Sequence, residues 1–234
     1  MTEIAENIAR IREEIALAEA QAGRPGGQVK LLAATKMNDA RRIQAAIAAG
    51  VDICGENRVQ ELQEKLPQGA YTGAPLHFIG HLQRNKAKFL VGQVDLIQSV
   101  DSIPLLETID RLAAQKGICQ DVLLEVNIGG EEAKSGILPE QADDFAAKMA
   151  EYNSICLRGF MTIPPISAKK GGNLRYFAKM YQLYVDIKGK KYDNTNIDCL
   201  SMGMSDDFAD AIKEGTTMIR VGTRIFGSRQ YVKK

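Results

Sequence analysis

Eight short apolar runs recur along the 234-residue chain, at positions 29–36, 51–54, 76–80, 95–99, 122–127, 155–162, 197–201 and 218–222. Runs of this length, set between glycine, proline and charged residues, read as buried strands. Between them, apolar residues fall at helical spacing, as in Ile43, Ala46 and Ile47, or in Leu174, Phe177, Met180, Tyr181 and Tyr184. Strands separated by helices run parallel, because a crossover is what returns the chain to the same end of a sheet. Eight such units predict an α/β fold of the closed (β/α)8 TIM-barrel type. An open doubly wound sheet is the competing solution. It is disfavoured because the glycine-rich dinucleotide fingerprint is missing after the first run, and because the length lies near the roughly 250 residues of a barrel. An additional N-terminal helix is expected over residues 3–22, where Ile4, Ile8, Ile11 and Ile15 form one stripe. Linkers, low-complexity segments and charge blocks are absent from the sequence, so residues 1–234 are expected to form a single domain.

Thirty lysines and arginines against 29 aspartates and glutamates leave a formal charge of +1. A whole-chain field that would draw in nucleic acid or a membrane surface is therefore missing, and any anion site must be local. The acidic, alanine-rich start lacks the basic and apolar parts of a signal peptide, and no run approaches the length of a spanning helix. A cytoplasmic, monomeric protein is expected. The four cysteines, Cys54, Cys119, Cys156 and Cys199, lie far apart in or beside apolar runs and read as buried free thiols. With only His77 and His81 besides, no metal site is expected.

The first run ends in a charge. Alternation places Leu32, Ala34 and Lys36 on one face, so Lys36 leaves the strand toward whatever the other two line. A partly desolvated lysine amine is a nucleophile toward aldehydes and forms Schiff bases; the alternative is a solvated lysine that simply closes the strand. In a TIM barrel the chemistry lies at the C-terminal strand ends, and phosphate is often held after strands seven and eight. Those loops read Ser201-Met202-Gly203-Met204-Ser205 and Gly222-Thr223. Singly each is a helix cap or a turn; on adjacent strands they can surround a phosphate. Arg220 shares the inward face with Met218 and Gly222 and needs an acceptor, either a strand-end carboxylate such as Glu125 or a ligand ring nitrogen. Asn57 ends the second run beside Lys36 and is either a turn former or a donor to a ring substituent. Such a layout takes an aldehyde at one end and a phosphomonoester at the other. Pyridoxal 5′-phosphate (PLP) has both.

Five stretches carry a family resemblance: Thr35-Lys36, Gly55-Glu56-Asn57-Arg58, residues 77–86 (HFIGHLQRNK), Ser201-Met202-Gly203-Met204-Ser205 and Arg220-Val221-Gly222-Thr223. Together they resemble the pyridoxal phosphate homeostasis protein family over essentially the whole chain. The resemblance implies a barrel like the N-terminal domain of alanine racemase, with PLP held as a Schiff base on Lys36. Asn57, Ser201, Met202, Ser205, Arg220, Gly222 and Thr223 are the other implied cofactor-binding residues, Arg220 facing the pyridine nitrogen. Two positions depart from the family pattern. Met37-Asn38 stands where a proline and often a second basic residue follow the lysine, and Arg224 replaces a small residue, which would raise the charge near the phosphate.

The implied role is intracellular PLP homeostasis, buffering or supplying the cofactor to apo PLP-dependent enzymes without substantial catalysis. An arginine against the ring nitrogen disfavours its protonation and weakens the ring as an electron sink. The second base of alanine racemases is a tyrosine from an additional domain, and only Tyr231 follows the last run here. A small fold-type III amino-acid racemase is the alternative, and a Schiff-base aldolase or phosphosugar isomerase a more distant one. His81 reads as structural and Arg84, Lys86 and Lys88 as a solvated basic face. Lys134, Lys169, Lys170, Lys233 and Lys234 are surface lysines that could accept a cofactor in transit.

Overall fold

A computed structural model describes residues 2–167, 169 and 171–227 of the chain. The expected positions Lys170, Tyr231, Lys233 and Lys234 lie outside the described residues.

In chain order the elements are α1 (Glu3–Gln21), β1 (Lys30–Ala34), α2 (Ala40–Ala48), β2 (Ile53–Glu56), α3 (Val59–Lys65), β3 (Leu76–Phe78), β4 (Leu96–Val100), α4 (Ile103–Lys116), β5 (Gln120–Val126), α5 (Ala142–Met149), β6 (Ile155–Thr162), α6 (Leu174–Lys190), β7 (Thr195–Ser201), α7 (Phe208–Lys213), β8 (Met218–Val221) and α8 (Thr223–Phe226). The eight strands close into a parallel barrel in sequence order, as the alternation of strand and helix signals requires.

The extra helix has a defined job. Thr2 caps α1 by accepting from the Ala5 N–H at 3.3 Å, and the stripe Ile8, Ile11 and Ile15 is buried against Leu31, Ala33, Ile219 and Val221. Those four residues are the outward faces of β1 and β8, so α1 covers the seam where the first strand meets the last. Burying such isoleucines contributes about 1.5–3 kcal/mol each.

Inside the barrel, Leu32, Ile53, Ile79, Leu96, Leu123, Met161, Cys199 and Met218 form an apolar plug. Two residues further along four of these strands the inward positions turn polar: Leu96 is followed by Gln98, Leu123 by Glu125, Cys199 by Ser201 and Met218 by Arg220. The interior therefore changes from dry to polar toward the C-terminal mouth.

Several boundaries differ from those expected. The first strand stops at Ala34 because the chain turns at once: Asn38 N–H bonds to Thr35 O at 3.1 Å, and Met37 takes φ 61°. That turn leaves Asp39 as the cap of α2, its carboxylate accepting from Arg42 N–H at 2.8 Å. The second strand lies two residues later than its apolar run, because Val51 N–H still bonds to Ala46 O of the preceding helix. The third ends at Phe78, where the chain packs so tightly that a side chain at Gly80 would overlap the Asn57 carbonyl. The basic stretch Arg84–Phe89 is a 3-10 helix rather than an α-helix. The thiols divide: Cys54 and Cys199 are buried and pushed up to about 12 by that burial, whereas Cys156 is half-buried and Cys119 exposed.

Candidate functional site at the barrel mouth

Strand register sets Lys36 between two neighbours. On one side Leu32 pairs with Ile53 and Ala34 with Gly55, so Lys36 and Asn57 leave adjacent strand ends at the same level. On the other side Ala33 pairs with Val221, which brings Gly222 and Thr223 alongside. Lys36 is half-buried.

The backbone around Lys36 is held by a buried ionic network outside the barrel wall. Glu56, with no exposed surface, accepts from Lys65 Nζ at 2.9 Å, Tyr71 OH at 3.1 Å, Thr35 Oγ1 at 3.1 Å and Asn57 N–H at 2.7 Å. Lys65 Nζ also donates to Thr35 O at 3.1 Å and to Glu61 at 2.7 Å, and Glu61 accepts the Met37 N–H at 2.6 Å. Residues 35, 37 and 57 are thereby tied to one set of charges. Burial raises the Glu61 carboxyl, but Lys65, the Met37 N–H and Arg58 outweigh it and hold the group below its ordinary range. Burial, with Glu56 beside it, drives the Tyr71 hydroxyl upward. None of Glu61, Lys65 and Tyr71 stands out in the sequence, because Glu61 and Lys65 at i, i+4 look like a surface helical pair.

Arg220 is buried, its guanidinium reaching across β7 to the end of β6. Its Nη1 donates to Ser201 O at 2.8 Å and Ser201 Oγ at 2.6 Å, and its Nη2 donates to Thr162 O at 2.9 Å. The anticipated partner Glu125 is not among these acceptors. Burial lowers the guanidinium to about 10, with Glu125 acting in the opposite direction. Ser201 Oγ in turn donates to Gln98 Oε1 at 2.7 Å, and Gln98 Nε2 donates to Nδ1 of neutral His77 at 2.9 Å. Burial pulls His77 down to about 4, which keeps the imidazole neutral.

The expected phosphate residues separate into two groups. Ser205 Oγ and Thr223 Oγ1 lie 3.5 Å apart, bridging the loops after β7 and β8. At Gly222 φ is −121°, and an added Cβ would make only ordinary contact with Ala34, 3.4 Å away. Packing does not demand a glycine there, so what its lack of a side chain provides is open approach to the backbone. Gly203 is different: φ is 91° and an added Cβ would lie 2.6 Å from the Ala211 Cβ.

Ser201 and Met202 stand apart from the Ser205–Thr223 pair. The Ser201 hydroxyl is fully buried on Arg220 and Gln98, and Met202 faces outward into the helix–sheet core with its N–H on Met218 O at 3.1 Å. As the last residue of β7, Ser201 points inward and Met202 outward by simple alternation. Arg224 also differs from expectation. It pairs with Glu14 of α1 and lies over the Phe208 ring, so its charge is already matched.

Asn57 supplies a polar group in search of a partner. Its Oδ1 is buried and accepts no hydrogen bond among the described residues. An aldehyde-bearing ring with a hydroxyl substituent, linked to a phosphate, fits what this half of the mouth offers: an amine, an acceptor, a cation and a hydroxyl pair. Across the mouth, His81 Nδ1 lies 3.1 Å from Ser135 Oγ and 3.7 Å from Asp101 Oδ2. Arg84 and Lys88 are elsewhere, lining a cleft of about 600 Å³ with Thr108 and Arg111. No group of three or more potential metal ligands occurs among the described residues, and no described helix is long and apolar enough to cross a membrane.

Comparison with known proteins decides the family. The alanine racemase N-terminal domain model matches residues 4–230, and a pyridoxal phosphate homeostasis protein of Aquifex aeolicus (strain VF5) is 40% identical over 97% of this chain and 98% of its own. The chain belongs to the pyridoxal phosphate homeostasis protein family. Solved structures agree with that family's barrel. An unknown protein from Bifidobacterium adolescentis superimposes with a TM-score of 0.91 at 42% identity, covering 96% of this chain and 94% of that one. PipY of Synechococcus elongatus PCC7942, with PLP bound, gives 0.81 at 31% identity, covering 96% and 100%. The barrel expected from the alternation of strands and helices and the family expected from the motifs are both upheld.

Proposed function

We propose that this chain binds PLP at the barrel mouth and serves its homeostasis in the cytoplasm, buffering or supplying it to apo-enzymes without substantial catalysis. The observation that carries the reading is the placement of Lys36 between the unpartnered Asn57 Oδ1 and the Ser205–Thr223 hydroxyl pair. PLP supplies an aldehyde and an electron-withdrawing ring. Lys36 would hold the aldehyde carbon as a Schiff base, and Ser205, Thr223 and the backbone of Gly222 would take the phosphate. Asn57 would accept from a ring substituent. Arg220 would face the ring nitrogen and oppose its protonation, keeping the ring a poor electron sink. Ser201 is assigned a supporting role, fixing the guanidinium rather than touching the phosphate.

Support also comes from relatives named as homeostasis proteins rather than enzymes, and from PipY, solved with PLP bound. A small amino-acid racemase is the second reading, favoured by the racemase-domain match. Both are tested by borohydride reduction of the PLP-saturated protein followed by peptide mass spectrometry, together with turnover assays on D- and L-amino acids. A pyridoxyl group on Lys36 without sustained turnover supports the carrier. Turnover in the range of about 1–1,000 per second, abolished in Lys36→Ala, supports the racemase.

A further inference from the structure

The half of the mouth opposite the hydroxyl pair has a different chemistry. Along β5, Leu123 belongs to the apolar plug, and Glu125, two residues on, faces the same interior. Glu125 is only 8% exposed, and its Oε2 is buried without a hydrogen-bond partner among the described residues. Val100 of β4 pairs with Leu124 of β5, so Asp101 leaves its strand beside Glu125 and pushes against its ionisation, while Arg220 on β8 favours it. Burial is the larger influence, and the carboxyl is raised to about 7. Asp101 also lies beside His81, which contacts Ser135. The nearby cation Lys134 is already matched, with Nζ 2.6 Å from Glu131 and 3.0 Å from Pro164 O. This half thus holds two carboxyls, one of them buried with an acceptor that no described residue fills.

We propose that Glu125, Asp101 and His81 form a subsite for a primary ammonium that lacks an adjacent carboxylate, the side chain of a lysine on a recipient protein. The proposal deepens the PLP reading above and rests on it for its purpose, since it names the acceptor chemistry that the cofactor half would face. An ammonium gives Oε2 the donor it lacks and relieves the repulsion from Asp101. It must lose a proton before its nitrogen becomes a nucleophile, and Glu125 is placed to take it. The N–H bond breaks, an Oε2–H bond forms, and one positive and one negative charge are neutralised together. A free α-amino acid is disfavoured at the same place, because its own carboxylate would stand against Asp101 and Glu125.

The test uses the cofactor-free chain with carbon-13-labelled glutamate carboxyls, the Glu125 resonance being identified by its loss in Glu125→Gln. Its titration midpoint is followed with n-butylammonium, Nα-acetyl-lysine amide, L-alanine and tetramethylammonium at matched ionic strength. The two primary ammonium probes should lower the midpoint by about one unit, a tenfold preference for the ionised carboxyl, and Asp101→Asn should weaken that response. Alanine and tetramethylammonium, the latter having no N–H to donate, should leave it in place. A midpoint indifferent to n-butylammonium, or one that tetramethylammonium moves equally, overturns the subsite. The parent reading is judged separately by borohydride labelling of Lys36. Labelling with a silent Glu125 defeats the subsite alone, and a responsive Glu125 without labelling leaves the subsite standing.

Discussion

Ser205 and Thr223 meet hydroxyl to hydroxyl at 3.5 Å although 18 residues separate them. The loop after β7 reaches that contact through a reversal at Gly203, and the loop after β8 begins at the unobstructed Gly222. Ser205→Ala combined with Thr223→Ala should therefore weaken PLP binding while leaving pyridoxal, which has no phosphate, nearly unaffected. Each hydrogen bond to a charged group contributes about 1.5–3 kcal/mol, so a loss of roughly tenfold to a hundredfold per hydroxyl is expected by equilibrium dialysis. An equal loss for pyridoxal would mean that the pair does not hold the phosphate.

Lys36→Ala should abolish the visible absorption band of the PLP-bound protein and its trapping by borohydride. Noncovalent binding through the hydroxyl pair should remain, measurable by dialysis with PLP. Retention of a reducible band in this variant would place the covalent link on another lysine.

Arg220→Glu should set a carboxylate against the ring nitrogen, favour the protonated pyridinium and shift the absorption of the bound cofactor. Ser201→Ala is the milder probe, since it removes one acceptor of the guanidinium and leaves Ser201 O and Thr162 O in place. A smaller spectral shift in the same direction is expected. If both variants bind PLP with unchanged spectra, Arg220 does not face the ring.

Stability should carry two opposed pH dependences. Glu125 is raised from 4.5 to about 7, so the folded state binds more protons than the unfolded between those values, and Glu125 makes stability fall as pH rises. His77 is lowered from 6.5 to about 4, so the unfolded state binds more protons there, and His77 makes stability rise with pH. Each effect amounts to roughly 3 kcal/mol across its window. Urea denaturation at pH 4.5 and 6.5 should show Glu125→Gln gaining stability with pH relative to the parent, and His77→Asn losing it. Identical slopes in all three proteins would contradict both assignments.

Removing one partner of the buried network should be costly. Lys65→Met leaves Glu56 charged and without its cation, a loss of about 3–5 kcal/mol in a denaturant midpoint analysis. The variant should also bind PLP less well, because Thr35 O and Glu61 lose the same ammonium. Full stability in Lys65→Met would show that the network does not brace the Lys36 turn.

The barrel and the strand ends that carry chemistry are legible in the order of the amino acids. Both follow from local periodicity: Leu32, Ala34 and Lys36 share a face, as do Met218, Arg220 and Gly222, because a strand repeats every second residue. Short motifs such as residues 77–86 were enough to mark the family. The cap at Asp39 follows from a turn with positive φ at Met37, which no residue pattern marks. Which groups meet is set by the folded arrangement of the strands and loops. Ser201 and Ser205 are alike in the sequence, yet one is sealed onto Arg220 and the other reaches Thr223. Lys65 reads as a surface partner of Glu61 until Glu56 and Thr35 O are seen to accept from the same ammonium. Glu125 is notable for a partner it lacks, which requires knowing everything that surrounds it. Pairings across the barrel join residues far apart in the chain, as Ser201 meets Gln98 over 103 positions, and they depend on register and loop path, which no local pattern encodes.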